Sequence, residues 1–284
     1  MKSKTTGLKN LVVVSDTHCG DQLGLCPETV TLTHGGTYTS SIFQDYVRER
    51  WNIFWDEWVP TVTRGEPYSI LVNGDAMEGR HHNATHPLTH DLANQQNVAY
   101  EMLAPVVAKA KSLYYVSGSP AHSGEAGENE EMLAEMLKAK ADERGNRSRY
   151  ELLIKVGNAL VHATHHIGIS GSMAYETTAL TKEFNEFSSE SARWNRPIAD
   201  ILVRSHRHRH SEVSIPTSRG YGIIFVTPSW QLRTPFAFRI PGGRVTTPMI
   251  GGSLIRQGNE EFHTRHKTWD TPRTRTEKPR IEVI

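Results

Sequence analysis

Four short polar clusters of this chain carry side chains that can bind divalent metal ions. Each cluster follows an apolar run and supplies carboxylate or imidazole groups: Asp16 and His18, then Asp75, then His162, His165 and His166, and last His206 and His208. Oxygen and nitrogen donors of these kinds are ligands for Mn, Fe and Zn. One Asp or His at a strand end is usually a cap or a solvated residue, but four such clusters indicate that several strands converge on a metal centre.

The spacing within two of the clusters fits binding to metal. Asp16 and His18 are two residues apart, so on an extended strand end both side chains point the same way and can bind one ion together. The same spacing leaves two arrangements open for His206 and His208, which either share one ion or bind one each of two adjacent ions.

Short apolar runs ahead of the polar segments predict the strands that position them. The β-branched run at 11–14 is typical of a strand buried on both faces. Similar runs precede the other polar segments, at 70–72, 114–116, 160–161 and 201–203.

Helices are predicted between these strands, where apolar residues recur at three-to-four spacing over 42–59, 92–110 and 129–141. From residue 215 onward, apolar runs broken by Gly and Pro predict antiparallel strands with tight turns. The alternation is that of an α/β protein, in which ligands gather at the carboxyl ends of the strands.

The composition is typical of a soluble globular protein. Of the 284 residues, 37% are hydrophobic and 22% charged, and we predict one catalytic domain over residues 8–262. No apolar stretch approaches the roughly 20 residues that span a bilayer, and residues 1–7 lead into a strand without a secretion signal. Because Cys19 and Cys26 are the only cysteines, we expect no disulfide framework and a cytoplasmic location.

The charge and the remaining polar segments favour no single partner. A net charge of +1 does not require a polyanion. Residues 263–284 are expected to form an extended arm, whose basic residues either bind nucleic-acid phosphates or belong to a solvated tail. Fifteen histidines are present, and three of the four in the loop at 79–90, namely His81, His82 and His90, are expected to be solvated.

In order and spacing, the clusters resemble the motifs of the calcineurin-like metallophosphoesterases. The likeness extends from about Val12 to Trp230 and rests on Asp16-x-His18, on Gly74-Asp75 and on the late pair of histidines at 206 and 208. It implies two packed mixed β-sheets flanked by helices, a four-layer α/β/β/α sandwich. It also implies two divalent ions at the strand ends, with Mn, Fe or Zn as the expected metals.

The resemblance assigns the first ion to Asp16, His18 and His208, with Asp75 bridging both ions. A bridging carboxylate offsets the repulsion between cations about 3.5–4 Å apart. Asp75 is therefore counted with the catalytic residues as well as with the ligands.

The second ion is assigned to His206 and one histidine of the third cluster. The family shows a His soon followed by Gly, which either His165 or His166 satisfies; we expect His165 first and His166 second. His162 is expected to be structural or to orient a ligand through a hydrogen bond.

Residues 117–124 depart from the family pattern, which has Gly-Asn-His at this place. The asparagine that would bind the second ion is absent, and Ser119 or water is expected to replace it, with Asn83 as another alternative. His122 is then the candidate for the histidine that protonates the leaving oxygen or stabilises the charge on the phosphoryl group. The second metal site is expected to be the looser one.

The implied chemistry is hydrolysis of a phosphate ester by a metal-bound hydroxide, without a covalent enzyme intermediate. Two ions would lower the pKa of a bound water from about 15.7 toward about 7. Arg80 and Arg207, next to expected ligands, are candidates for binding the substrate phosphate.

The variant third motif is similar to that of phage and prophage members, which are often assigned to nucleic-acid processing. We therefore expect a phosphodiesterase that acts on nucleic acid or nucleotides, such as a nuclease. The alternatives are a phosphomonoesterase and a catalytically inactive, metal-stabilised binding protein. The oligomeric state is left open.

Overall fold

A computed structural model of the chain describes residues 7–81, 83–168, 173–239, 246–259 and 261–272. The strands are β1 (Asn10–Val14), β2 (Thr29–Thr31), β3 (Thr37–Thr39), β4 (Ser69–Asn73), β5 (Leu113–Val116), β6 (Ser148–Arg149), β7 (Leu152–Val156), β8 (Ala159–Ala163), β9 (Ile201–Arg204), β10 (Ser211–Thr217), β11 (Gly220–Val226), β12 (Ile250–Gln257) and β13 (Phe262–Trp269). The helices are α1 (Ile42–Ile53), α2 (Val59–Thr63), α3 (Leu92–Val107), α4 (Pro120–Ser123), α5 (Glu128–Met136) and α6 (Glu176–Arg193).

The strands form two mixed sheets and a small hairpin. One sheet has the order β13-β12-β1-β4-β5-β6, the other has the order β10-β11-β9-β8-β7, and β2 pairs with β3. In the first sheet β1, β4, β5 and β6 are parallel neighbours. Strand β12 pairs antiparallel with β1, and β13 pairs antiparallel with β12. In the second sheet β8, β9 and β11 are parallel neighbours.

Three apolar clusters show that the two sheets pack face to face between helices. On β1, Val12 and Val14 face a core shared with α1 and α3, while Leu11 and Val13 face the second sheet. On β9, Val203 faces the first sheet, while the preceding residue packs against α6. Alternate residues of one strand thus enter different cores, so these strands are apolar throughout. This confirms the predicted α/β sandwich with helices on both sides.

The predicted helices form, with ends that differ from the sequence estimates. Ser41 caps α1 in a capping box with Gln44. The helical run then continues through a π-helical turn at Phe54–Trp58 into α2, four residues beyond the predicted end at 59. The sequence-based prediction omits α6, although Leu180, Phe184 and Phe187 recur along it at four- and three-residue spacing and pack on the second sheet. Among the described residues, no helix combines the length and apolar character needed to span a bilayer.

The predicted boundary of the C-terminal arm at residue 262 falls at the start of β13. This strand pairs with β12 over eight positions, so the first part of the predicted arm is an edge strand of the first sheet. Its mostly half-buried, polar sequence lacks the apolar run that marks a central strand. The basic residues at 273–280 and the strand predicted at 281–284 lie outside the described residues.

A polar network fastens β13 to the second sheet. Glu212 on β10 accepts hydrogen bonds from Thr264 Oγ1 at 2.7 Å and from His266 Nε2 at 2.8 Å. Ser253 Oγ of β12 lies 2.8 Å from His266 Nδ1, which completes the network. The network therefore joins both sheets at their β10 and β13 edges.

We expect Glu212→Ala to lower the free energy of unfolding by about 1–3 kcal/mol, because it leaves two half-buried donors without their acceptor. Urea denaturation followed by circular dichroism measures this change. The control is Glu186→Ala on α6, which removes only an exposed i,i+4 ion pair. Equal effects of the two substitutions would contradict a role for the network.

Candidate metal centre

The carboxyl ends of the parallel strands from both sheets meet at one place. In the first sheet, β1, β4 and β5 lead into Asp16, Asp75 and Ser119, and in the second sheet, β8 and β9 lead into His165 and His206. Because parallel strands end at the same edge, side chains far apart in sequence are brought together.

Hydrogen bonds hold the two sheets together at this edge. Asn73 Nδ2, at the end of β4, donates to Thr164 O at 3.1 Å and to Ser205 Oγ at 2.6 Å. The backbone N–H of His206 donates to Asp16 Oδ2 at 3.4 Å. The second sheet thus delivers its histidines to the carboxylates of the first.

The backbone at this edge is strained. Five of the expected ligands have φ between 42° and 71°, in the left-handed region: Asp16, His18, Asp75, His206 and His208. Asp and His tolerate this region better than most residues, yet each such residue still has a conformational cost that the surrounding structure must offset. Clusters of such residues are typical of functional sites.

Asp16, His18 and His208 form a first group of ligand atoms. His208 Nε2 lies 3.2 Å from Asp16 Oδ1 and 3.1 Å from His18 Nε2, while His18 Nε2 lies 4.0 Å from Asp16 Oδ1. Two ligands bound to one ion at about 2.0–2.2 Å stand about 3.0–3.5 Å apart in tetrahedral or octahedral geometry. Two of the three separations lie in this range, and the 4.0 Å between His18 Nε2 and Asp16 Oδ1 exceeds it, so the group resembles the ligand set of one cation without matching it fully.

A second group consists of Asp75, His165 and His206. Asp75 Oδ2 lies 2.9 Å from His165 Nε2 and 3.9 Å from His206 Nδ1. The ligand atoms of Asp75 and His18 also lie within 4.8 Å of each other, so this carboxylate is within reach of both groups.

Two buried atoms at the centre are placed where metal ligands would be. Asp16 Oδ1 and His165 Nε2 belong to almost fully buried residues, and each faces another member of its ligand group, His208 Nε2 at 3.2 Å and Asp75 Oδ2 at 2.9 Å. The other nitrogen of His165, Nδ1, lies 2.7 Å from Asn73 O and so carries a proton, which leaves Nε2 as the ligand atom. A set of carboxylate and imidazole donors suits Mn, Fe or Zn.

Ser119 occupies the place of the expected asparagine. Its hydroxyl lies 3.1 Å from each carboxylate oxygen of Asp75, and its backbone N–H donates to Asp75 Oδ1 at 2.7 Å. Close packing makes this possible, because a Cβ at Gly118 would stand 2.0 Å from Asp75 Oδ1, and one at Gly74 would stand 2.6 Å from the Gly118 Cα. Both glycines are therefore needed where these loops cross.

Three other candidates lie outside the two groups. His166 is exposed, and its ring packs on His206 at a centroid distance of 4.4 Å rather than facing Asp75. His162 lies 2.8 Å from Glu151 Oε1 and 3.2 Å from an Arg204 nitrogen, within the second sheet. Asn83 is exposed and does not line the described cleft.

Glu78, which the sequence patterns did not single out, orients two histidines. Its Oε2 accepts from His18 Nδ1 at 2.9 Å, and its Oε1 accepts from His81 Nε2 at 2.8 Å. With Nδ1 protonated, His18 presents the lone pair of Nε2 to the first group. The sequence signal that could have revealed Glu78 is its position three residues after Asp75.

The loop at 79–90 is only partly exposed to solvent, contrary to the expectation that its histidines are solvated. His81 is half-buried and His86 is buried, while His90 is exposed and His82 lies outside the described residues.

Glu130, on α5, is a second missed carboxylate. It is buried and accepts the backbone N–H of Ala76 at 2.9 Å and that of Gly118 at 2.5 Å. These two residues follow β4 and β5, so Glu130 fixes the loops that carry Asp75 and Ser119. Burial, followed by the charge of Asp75, raises the pKa of Glu130 to about 7.

Neighbouring carboxylates control the protonation of the central histidines. Burial alone lowers the pKa of His18 and His165. The hydrogen bond and charge of Glu78 nevertheless raise the pKa of His18 to about 9, and the charge of Asp75 raises that of His165 to about 10. Burial raises the pKa of Asp75, but His165 and other histidines lower it well below its usual range. Protons thus balance the buried carboxylates of the metal-free protein.

His122 lies beside this centre on α4. Its Nδ1 donates to the backbone carbonyl of Glu78 at 2.5 Å, and its Nε2 lies 3.9 Å from Asp75 Oδ2. Burial lowers the pKa of His122 to about 4 despite the opposing charge of Asp75. At neutral pH this histidine is therefore uncharged, with the free lone pair on Nε2.

A cleft of about 410 Å³ opens over these residues. Arg207 and Arg233 line it, the latter with its guanidinium 3.9 Å from the centre of the Phe238 ring. Arg80 does not: it is exposed and donates to the backbone carbonyl of His90. The structure thus brings only one of the two predicted phosphate-binding arginines to the cleft, together with Arg233, which the sequence patterns did not reveal.

No family model matches the chain, and no curated protein matches it. Similar solved structures include Vps29 complexed with Zn²⁺ from Entamoeba histolytica, with 12% identity, a TM-score of 0.40, and coverage of 93% of this chain and 99% of that one. A metallophosphoesterase from Sphaerobacter thermophilus has 10% identity, a TM-score of 0.40, and coverage of 93% and 89%. A predicted phosphoesterase from Streptococcus pneumoniae has 14% identity, a TM-score of 0.37, and coverage of 92% and 89%. Such low TM-scores carry no argument about function, which must come from the side chains of the site.

Metal binding at pH 7.5 is expected to release about two protons, because His18 and His165 are protonated in the metal-free protein and ligands must be deprotonated. Calorimetric titration with Mn²⁺ in buffers of different ionisation enthalpy measures this number. It should fall as the pH rises through about 9 and 10, the pKa values of these two groups.

The same two groups contribute to the pH dependence of the stability of the metal-free protein. Both pKa values exceed the ordinary value of 6.5, so their contribution to stability is fully present below pH 6.5 and is lost as the pH rises through about 9 to 10. Metal uptake without proton release would contradict the protonation of His18 and His165 in the metal-free protein.

We expect Gly118→Ala to weaken Mn²⁺ binding by about 10-fold or more, since the added methyl group displaces the Asp75 carboxylate. Equilibrium dialysis measures the affinity. Gly7→Ala is the control, because a Cβ there meets nothing within 4 Å. Wild-type affinity in Gly118→Ala would show that Asp75 does not bind metal.

Proposed function

We propose that this chain is a divalent-metal-dependent hydrolase of phosphate esters, specifically a phosphodiesterase that acts on nucleic acid or nucleotides. The observation that carries the proposal is the position of Asp75, whose carboxylate is within reach of both ligand groups. Two groups that share one carboxylate suit a pair of cations about 3.5–4 Å apart.

The proposed ligands follow from the geometry. Asp16, His18 and His208 hold one ion, and His165 and His206 hold the other, with Asp75 common to both. When bound, divalent ions such as Mn, Fe or Zn supply a water acidic enough to act near neutral pH and offset the charge of a phosphoryl group. Ser119 supports the second site by fixing Asp75 rather than by replacing the asparagine directly.

His122 is the proposed proton carrier. Its Nδ1–H is committed to the carbonyl of Glu78, so Nε2 is the atom that exchanges a proton. Because burial keeps the ring neutral at pH 7, Nε2 first accepts a proton from the attacking water. The resulting imidazolium then returns this proton to the leaving oxygen, in agreement with the role that the sequence suggested.

The cleft supports a diester as substrate. Arg207 supplies a guanidinium beside His206 and His208, where it can pair with a phosphate oxygen. The cleft extends beyond the ligand groups along Leu232 and Phe236, which leaves room for an organic group on the ester. A polar pocket only large enough for a free phosphate would have favoured a monoesterase instead.

The proposal is tested by adding Mn²⁺, Fe²⁺ or Zn²⁺ to metal-stripped protein and measuring hydrolysis of bis-p-nitrophenyl phosphate and p-nitrophenyl phosphate. We expect metal-dependent turnover, with the higher kcat/KM for the diester. His122→Ala should lower kcat by about 10²–10⁴-fold while metal is retained, because it removes the proton carrier. Asp75→Asn should lose both metal and turnover.

His90→Ala is the matched control, since His90 belongs to the same region but is exposed and does not line the cleft. A preference for the monoester would replace the diesterase with a monoesterase. If the protein binds metal but hydrolyses neither ester nor single-stranded or duplex DNA and RNA, it is a metal-stabilised binding protein and the proposal is wrong.

A further inference from the structure

Glu78 holds His18 in place, and it is itself held by a residue from a distant part of the chain. The side-chain amide of Gln231 donates to Glu78 Oε2 at 3.2 Å and to Asp21 Oδ2 at 2.7 Å. Both hydrogens of one NH₂ group are thus used, one on each of two buried carboxylates. The reverse orientation of the amide would place its oxygen against two anions, so chemistry determines the orientation.

Asp21, which accepts one hydrogen bond from the Gln231 amide, is itself held in place by hydrogen bonds. Its Oδ1 accepts the backbone N–H of Leu23 at 2.6 Å, and its Oδ2 lies 2.6 Å from His86 Nδ1. Its backbone carbonyl accepts from Gln44 of α1 at 2.9 Å. Asp21 is fully buried, so these bonds are shielded from competing water.

The backbone around Gln231 is equally fixed. The N–H of Trp230 donates to Asp16 O and the N–H of Leu232 donates to Leu23 O, each at 2.9 Å. Gln231 therefore lies between two segments that follow β1, one of which carries a proposed ligand. Movement of its amide would shift Glu78 and, through Glu78, the ring of His18.

We propose that Gln231 and Asp21 are positioning residues, which hold Glu78 so that His18 presents Nε2 to the first ion. This inference rests on the proposed function, because it concerns a ligand of that ion. Neither residue needs to touch the metal, although Gln231 also lines the cleft. Their effect is to keep His18 in one tautomer and one orientation, which is what partners of metal-binding histidines do.

A cation held directly by Asp21, Glu78 and His86 is the alternative, since their ligand atoms lie within 4.8 Å of one another. His86 Nε2 also has no hydrogen-bond partner among the described residues. The 2.6 Å between His86 Nδ1 and Asp21 Oδ2 nevertheless has the length of a charge-assisted hydrogen bond and is shorter than the about 3.0–3.5 Å between two ligands of one ion. We therefore favour positioning.

The test compares Gln231→Leu with Gln257→Leu. Gln257 is buried to a similar extent, but it lies at the end of β12, which runs antiparallel to β1 and so ends at the opposite edge of the sheet. We expect Gln231→Leu to weaken the tighter Mn²⁺ site by about 10–100-fold, as loss of an outer partner of a metal ligand typically does. Gln257→Leu should leave that affinity within about 2-fold of wild type.

A second readout reports on His18 directly. Nitrogen-15 shifts of the Zn²⁺-loaded protein should show a single His18 tautomer, protonated at Nδ1, in wild type and in Gln257→Leu. In Gln231→Leu we expect line broadening or a mixture of tautomers. Asp21→Asn should weaken the tighter site in the same direction, because it removes the charge that orients the amide of Gln231.

Metal affinity and turnover are measured separately, so the two proposals fail differently. Equal Mn²⁺ affinities for Gln231→Leu and Gln257→Leu in a protein that turns over diesters would overturn the positioning role alone. If Gln231→Leu weakens Mn²⁺ binding and Gln257→Leu does not, but the protein hydrolyses no ester, the positioning role stands and the proposed hydrolase function is wrong. A third equivalent of Mn²⁺ or Zn²⁺ that is lost in His86→Ala would identify a cation at Asp21 and overturn the positioning role.

Discussion

The burial of five carboxylates in and around one small volume is the constraint on which this structure depends. Each is at most 1% exposed: Asp16, Asp21, Asp75, Glu78 and Glu130. A buried negative charge is costly unless it is paired, hydrogen-bonded or bound to metal. The abundant histidines meet this need, because each can donate one nitrogen to a carboxylate and direct the other inward. Two divalent cations would offset most of this negative charge and remove the need for protonated imidazoles, so metal uptake would be coupled to proton release.

The strained backbone is a consequence of the same crowding. To point several ligands at one centre, the chain must turn sharply right after β1, β4 and β9, and it does so through left-handed residues. Their conformational cost is offset by rigid surroundings. The strands before the turns are buried on both faces, and Glu130 and Asn73 fasten the turns to one another. The sandwich therefore provides the stiffness that the site requires.

The sequence predicts the layers and the side chains proposed as principal ligands because apolar runs directly precede Asp16, Asp75 and His206. It could not choose between His165 and His166, since that choice depends on where β8 ends and on the carbonyl of Asn73, which fixes the ring of His165. Glu78, Asp21 and Glu130 were missed because a buried carboxylate in a polar segment looks like a surface residue until its partners are known. Arg80 was misplaced for a related reason: adjacency in sequence does not determine the direction of a long side chain. The edge strand β13 lacks a marked apolar pattern, and tertiary packing establishes it. The helix α6 does carry such a pattern, in Leu180, Phe184 and Phe187, so its omission was avoidable.

The serine at position 119 bears on the relative affinity of the two proposed metal sites. Its hydroxyl bonds to both oxygens of Asp75, so it stabilises the bridging carboxylate instead of adding a strong ligand. An ion beside His165 and His206 would then have three protein ligands and open positions, as catalytic ions commonly do. Fewer ligands mean weaker binding, but open positions accept phosphoryl oxygens. Occupancy of the second site would therefore rise when substrate is present, because the substrate supplies the ligands that the missing asparagine does not.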